Sequence, residues 1–194
     1  MAASRTYVTE MTNLRHEKDA YFRQSPDSPF AHHNQRRFKG LRYFAPDPSW
    51  RVNATVEILP EGPNIIMATS DGQQQTFTRA AKLHFSVAGQ DGELTAYRTV
   101  HHHHHAPGED HHHEDEPWFI PFRDALAGTE TYGAGRYLDI EPPVGEANPT
   151  TITLDFNLAY NPYCAYAEEY SCPIPPKENT LPFAVRAGEQ TFHP

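Results

Sequence analysis

Arg51-Val-Asn-Ala-Thr-Val-Glu-Ile58, entered from Trp50, alternates polar and apolar side chains without a break. A β-strand sends successive side chains to opposite faces, so Val52, Ala54, Val56 and Ile58 are expected inward and Arg51, Asn53, Thr55 and Glu57 toward water. The same period of two sets Ile152, Leu154 and Phe156 against Thr153, Asp155 and Asn157. Half-buried strands of this kind, wet on one face, belong to antiparallel sheets.

Working outward, further strands are expected at Leu41–Phe44, Ile65–Thr69, Gln75–Arg79, Leu83–Val87, Leu94–Val100, Trp118–Phe122, Gly135–Ile140, Thr150–Asn157 and Phe183–Ala187. Asp71-Gly72 and Asp91-Gly92 fall between apolar runs and read as hairpin turns. About ten short strands at this spacing predict a mainly β chain, an antiparallel β-barrel or sandwich. Ahead of them, Thr6–Phe22 predicts a helix with Met11, Leu14, Tyr21 and Phe22 near one face, ended by Ser25-Pro26. Ser28-Pro29 then opens a second short helix through His32-His33 to Arg37, serine as cap and proline in its first turn. The reading is a single domain, 1–194, with a helical segment at 6–37 covering one end or face of a β domain at 38–194.

The formal net charge is −9 with no basic cluster, which argues against nucleic acid and anionic membrane as partners. No apolar run approaches the roughly 20 residues that span a bilayer. The N-terminal MAASRTYVTEMTN has no hydrophobic signal core. Two cysteines in 194 residues do not form a disulfide scaffold, and a reducing, cytoplasmic setting is expected.

Asp155–Pro176, DFNLAYNPYCAYAEEYSCPIPP, holds both cysteines and breaks from its strand at Asn161-Pro162. Its prolines lock the backbone and remove hydrogen-bond donors, so it is a rigid loop, either a plug over the barrel end or the wall of a site. A second unusual stretch, 101–116, sets His101, His102, His103, His104, His105 and His111, His112, His113 beside Glu114, Asp115 and Glu116. Imidazole and carboxylate together suit loosely held zinc, nickel or copper, without the closed geometry of a structural zinc site. The alternative is a solvated loop whose metal affinity is incidental.

Trp118-Phe-Ile-Pro-Phe-Arg-Asp-Ala125, Gly128-Thr-Glu-Thr-Tyr-Gly-Ala-Gly-Arg-Tyr-Leu138, Leu154-Asp-Phe-Asn-Leu-Ala-Tyr-Asn-Pro162, Cys164-Ala-Tyr166 and Cys172-Pro-Ile-Pro-Pro176 carry a resemblance to a family of bacterial and archaeal proteins, domain of unknown function 1684. Phe38-Lys-Gly-Leu-Arg-Tyr-Phe44, Glu178-Asn179 and Arg186-Ala-Gly-Glu189 extend it over nearly the whole chain. Tyr163 stands where the family often has a second proline, and the histidine stretch lies outside the matching segments. The resemblance implies a fold and a residue set and no activity.

Within those segments Arg123, Asp124, Tyr132, Arg136, Asp155, Asn157, Asn161, Tyr166 and Asn179 are the candidate ligand-binding residues. Arginine supplies a two-pronged grip on an anion and tyrosines pack the body of a ligand. The competing reading is that Arg123, Arg136 and Arg186 pair with Asp124, Asp155, Glu178 or Glu189 and pin loops to the rim. Gly133-Ala-Gly135 lacks the context of a phosphate loop and reads as a tight turn or bulge. Cys164 and Cys172 are open to four readings: buried thiols, a redox pair, a metal site with His84, or a nucleophile oriented by Asp155 or Glu178. The sequence thus favours a small anionic metabolite bound at one mouth of a β-shell, walled by 155–176. Its alternatives are a hydrolase-like enzyme using Cys164 or a pair drawn from Asp124, Asp155 and Glu178, and metal handling by the histidine stretch.

Overall fold

The computed structural model describes residues 2–30, 35, 38–100, 117–141 and 150–192. Among them are seven strands: β1 (Arg51–Ile58), β2 (Ile65–Ala68), β3 (Gln74–Val87), β4 (Gln90–Thr99), β5 (Trp118–Phe122), β6 (Arg136–Ile140) and β7 (Thr151–Asp155). They form one antiparallel sheet in the order β6-β5-β4-β3-β1-β7, with β2 alongside the first part of β3. The sheet curls into a half-barrel, and the ladder ends at β6 and β7. A mainly β antiparallel fold agrees with the sequence reading; the count of ten does not.

Three expected strands are lost for identifiable reasons. Gln75–Arg79 and Leu83–Val87 are two halves of β3, joined across a register shift between Arg79 and Ala81. Tyr43 makes only a single bridge, to Glu189, and 183–187 runs without a ladder, its carbonyls turned to the side chain of Arg136. The Asp91-Gly92 pair is also not the turn. The β3–β4 hairpin turns at Ala88 and Gly89, both at positive φ, as a two-residue turn of the right hand requires. Gly92 sits inside β4 facing Phe85, and a Cβ there would lie 2.5 Å from the Phe85 ring. Asp71-Gly72 does turn the chain from β2 to β3, with Gly72 at φ 81°.

The shift in β3 is a β-bulge, and it exchanges the faces of the strand. Phe77 and Leu83 are an even number of residues apart, so an unbroken strand would bury them together. With one extra residue between, Ala81, Leu83, Phe85 and Val87 enter the main core with Ala54, Leu94, Ile120, Phe122, Leu138, Leu154 and Phe156. Phe77 instead joins Met67, Tyr97, Ile65 and Phe119 in a second, smaller cluster. On β1 the alternation is as expected: Arg51, Asn53, Thr55 and Glu57 are exposed and the residues between them buried or half-buried.

Helix α1 spans Ala2–Gln24 and stops where Ser25-Pro26 predicts. Its docked stripe is Tyr7, Met11 and Phe22, with Arg15 and Lys18 between them; Leu14 and Tyr21 are 47% and 39% exposed, against the expected face. Polar anchors set this rotation. Tyr7 donates to Asp155, Arg15 to the Phe44 carbonyl at 2.8 Å, and Lys18 to Glu189 at 2.6 Å. The second helix expected over Ser28–Arg37, including His32 and His33, falls largely outside the described residues.

Arg136 is the pin between β6 and the C-terminal segment. It is 1% exposed, lies over the Phe122 ring, and donates to Asp124 and to the carbonyls of Val185, Ala187 and Glu189. A guanidinium survives burial when each N–H has an acceptor and one acceptor is charged. Arg136→Met is expected to cost about 3–5 kcal/mol of unfolding free energy, since Asp124 is then left buried without its partner. Urea titration checks it, and adding Asp124→Leu should recover only part, because three carbonyls stay unpaired.

Candidate functional site

The candidate ligand-binding residues do not meet in one hollow. Arg136 and Asp124 form the buried pair just described, and the other Asp124 oxygen accepts from Leu126 N at 2.7 Å and Thr131 Oγ1 at 3.2 Å. Asp155 and Asn157 form a second group, where Asp155 takes the Tyr7 hydroxyl and Asn157 clamps the Asp47 backbone through both its amide oxygen and nitrogen. Asn161 and Tyr166 converge on Glu189, itself paired with Lys18. Arg123 is exposed. The expectation of one shared anion site is thereby corrected: most of these groups spend their hydrogen-bonding capacity on the fold. The pairing is of the kind proposed for loop pinning, with partners partly different: Arg136 with Asp124, Arg186 with Glu130, and Arg79 with Glu178.

Asn179 shows how completely such a residue can be used. Pro121 in the middle of β5 has no N–H to offer, and β4 and β5 pair at a single register position, Tyr97 with Phe119. The Asn179 side chain fills the gap: its oxygen accepts from Thr95 N, and its nitrogen donates to the carbonyls of Thr95 and Pro121, all within 2.8 Å.

Of the catalytic candidates, Glu178 is held by the Tyr97 hydroxyl at 2.6 Å and by both prongs of Arg79. These contacts, Arg79 above all, hold its carboxyl below the usual range. Asp124, Asp155 and Glu178 thus belong to separate networks. Nor does His84 meet the cysteines; it lies on the outer face between Glu57 and Glu93, at 3.1 and 3.3 Å. Among the described residues no group of three or more His, Cys, Asp and Glu could hold a metal. The histidine stretch 101–116 lies outside them.

A cleft of about 640 Å³ does open beneath the 155–176 loop. Its floor is the smaller face of the sheet, with Gln75 and Phe77 from β3, Thr99 from β4, Phe119 from β5, and Tyr137 and Asp139 from β6. Its far wall is Tyr160, Pro162, Tyr163, Cys172 and Pro173 of the loop. The rings brace one another: Phe77 stacks on Phe119 at 5.6 Å, Phe119 meets Tyr137 edge-on at 4.7 Å, and Tyr137 meets Tyr160 at 5.7 Å. The Tyr137 hydroxyl fastens the floor to the wall through the Pro173 carbonyl. Asp139 is the one charged group among the described lining residues. Tyr160 donates to it at 2.6 Å, while its crowded surroundings raise its carboxyl above the ordinary value. Thr99 and Pro117, on either side of the histidine stretch, both line the rim. Sequence reading missed Phe77, Phe119, Asp139 and Tyr160, because they come together only through strand pairing and the β3 bulge.

Cys172 of this wall and Cys164 beside it are free thiols in contact. Cys164 is the middle residue of a single 3-10 turn, Tyr163–Ala165, after Pro162, and its backbone N–H donates to Cys172 Sγ at 3.3 Å. Cys172 is fixed from the other side: its carbonyl accepts the Ser70 N–H at 2.9 Å and its own N–H donates to Ser70 Oγ at 3.1 Å. Hydrogen bonding from the Cys172 thiol, then from Ser70 and Tyr132, lowers the Cys164 thiol to about 6 against the opposing effect of burial. The Cys172 thiol is raised, first by its bond to Cys164 and then by burial.

Residues 36–190 match the family described as protein of unknown function (DUF1684). The chain is also similar to the solution NMR structure of an uncharacterized protein of Haloarcula marismortui, at 37% identity with a TM-score of 0.70, over 96% of this chain and 95% of that one. None of the curated proteins compared matches it. No helix among the described residues is long and apolar enough to cross a membrane.

Asn179→Ala strands three buried backbone groups at once. It is expected to lower stability by about 3 kcal/mol or more, read by urea unfolding, since each unsatisfied group costs about 1–3 kcal/mol.

Proposed function

This chain belongs to the DUF1684 family, and we propose that it binds a small, flat organic molecule in the aromatic cleft beneath the 155–176 loop. The carrying observation is the cleft itself: a preformed hollow of about 640 Å³ lined mainly by rings, with a few polar groups at its edge. Small-molecule sites are built in this way, with apolar walls for affinity and sparse polar contacts for orientation. The loop that walls it is the one singled out by its prolines and tyrosines.

The ligand is uncharged or cationic, and this departs from the anion favoured by the sequence. Neither arginine nor lysine is among the described lining residues, and Asp139 supplies a negative group beside the electron-rich faces of Tyr137 and Tyr160. Cations are attracted to such faces and to a carboxylate, whereas a bound anion would meet both unfavourably. Gln75 and Thr99 can orient hydrogen-bonding edges. An overall charge of −9 points the same way, toward a small partner and away from nucleic acid. The two free thiols fit a reducing, cytoplasmic setting.

A thermal-shift series with indole, an aryl amidine and an aryl carboxylate tests this. The amidine and indole are expected to raise Tm and the carboxylate to leave it unchanged. Phe119→Ala should abolish the shift while circular dichroism still reports a folded sheet. Asp139→Asn should weaken the amidine more than the indole. A series in which the carboxylate alone binds would sink the reading.

A further inference from the structure

We infer that Cys164 and Cys172 form a working dithiol–disulfide couple, in which Cys164 attacks a low-molecular-weight disulfide and Cys172 resolves the mixed disulfide. Cys172 belongs to the cleft wall, and the exchange needs no occupant in the cleft.

The geometry separates the two roles. Cys172 is 8% exposed, whereas Cys164 is the more open of the pair. The Cys164 sulfur lies 3.9 Å from the Tyr132 hydroxyl and beside the Cys172 thiol and Ser70, polar neighbours that favour its thiolate, the form that attacks. The titratable groups facing it are Cys172, Tyr132 and Tyr137. Cys172 accepts the Cys164 backbone N–H on its own sulfur at 3.3 Å, which holds that sulfur against Cys164. Both backbones are clamped, one by the turn after Pro162 and the other by the Thr69–Pro173 bridge, so the thiols stay in contact instead of drifting apart. A pair of thiols packed in an apolar core would have neither these polar neighbours nor the exposure of Cys164.

The exchange balances in two steps. The Cys164 thiolate forms a bond to one sulfur of the incoming disulfide, whose S–S bond breaks, and the departing thiolate takes a proton from solvent. Capping Cys164 removes the negative partner that held the Cys172 proton. Cys172 then loses that proton, attacks the Cys164 sulfur, and expels the second thiol, which takes up a proton. Overall the protein dithiol is oxidised by two electrons and the small disulfide is reduced to two thiols.

The test incubates the native full chain with oxidised glutathione and follows it by intact-mass and peptide analysis. The expected product lacks two hydrogen atoms, carries a 164–172 link, and returns to the dithiol on adding dithiothreitol. Trapping the wild-type reaction early with acid should find glutathione on Cys164. Cys172→Ser should stop at that adduct, and Cys164→Ser should take up glutathione at least about tenfold more slowly. Iodoacetamide gives an independent readout. Half of Cys164 is thiolate near pH 6; allowing for the weaker nucleophilicity of an acidic thiol, it should outpace an ordinary cysteine about tenfold there and only about twofold at pH 7. Thiols that stay free while the urea-unfolded chain reacts, an early adduct on Cys172, or a link between two chains would each overturn the inference.

Discussion

One extra residue in the spine of the sheet decides where everything else can sit. Without the shift between Arg79 and Ala81, Phe77 and Leu83 would share a face, and β3 would feed a single core. With it, the far half of β3 serves the large core, and the near half offers Phe77 to the opposite side. That second face is too small to close over itself. It is finished by the proline-rich loop, and the incomplete closure between them is the cleft.

Holding an irregular loop against a sheet creates a polar problem, because a loop has no ladder to absorb its backbone groups. Side chains absorb them here. Arg136 takes three carbonyls of the C-terminal segment, Asn179 replaces missing pairing between β4 and β5, and Asn157 clamps the Asp47 backbone. Each is buried and surrounded by fixed acceptors or donors. Such residues look like a binding constellation in sequence, since they are polar and clustered, but their chemistry is consumed internally.

This explains which parts of the molecule were legible in advance. Period two at Arg51–Ile58 reports half-burial directly, and that strand stands as expected. A bulge interrupts that period, so β3 reads as two strands; nothing in Arg79-Ala80-Ala81 announces the extra residue. Ala88 at positive φ carries no turn signal either, whereas the neighbouring Asp91-Gly92 carries a misleading one. For Arg136 and Arg123 the residue type is visible and the partner is not. One is entirely enclosed and the other faces water, a difference set by the strand position of the first and the loop position of the second. The cleft is the least legible part, because its rings are drawn from β3, β5, β6 and the loop, and only pairing brings them into register.

The clasp between Lys18 and Glu189 joins residues 171 positions apart, and Tyr7 to Asp155 spans 148. A ribosome makes the helix well before these partners. Until Asp155 and Glu189 have emerged, α1 has an apolar stripe and no seat for it, so Tyr7, Met11 and Phe22 stay solvated while the strands before β7 are made. Contacts at such separation must close a very long loop, and pairings of that kind form slowly.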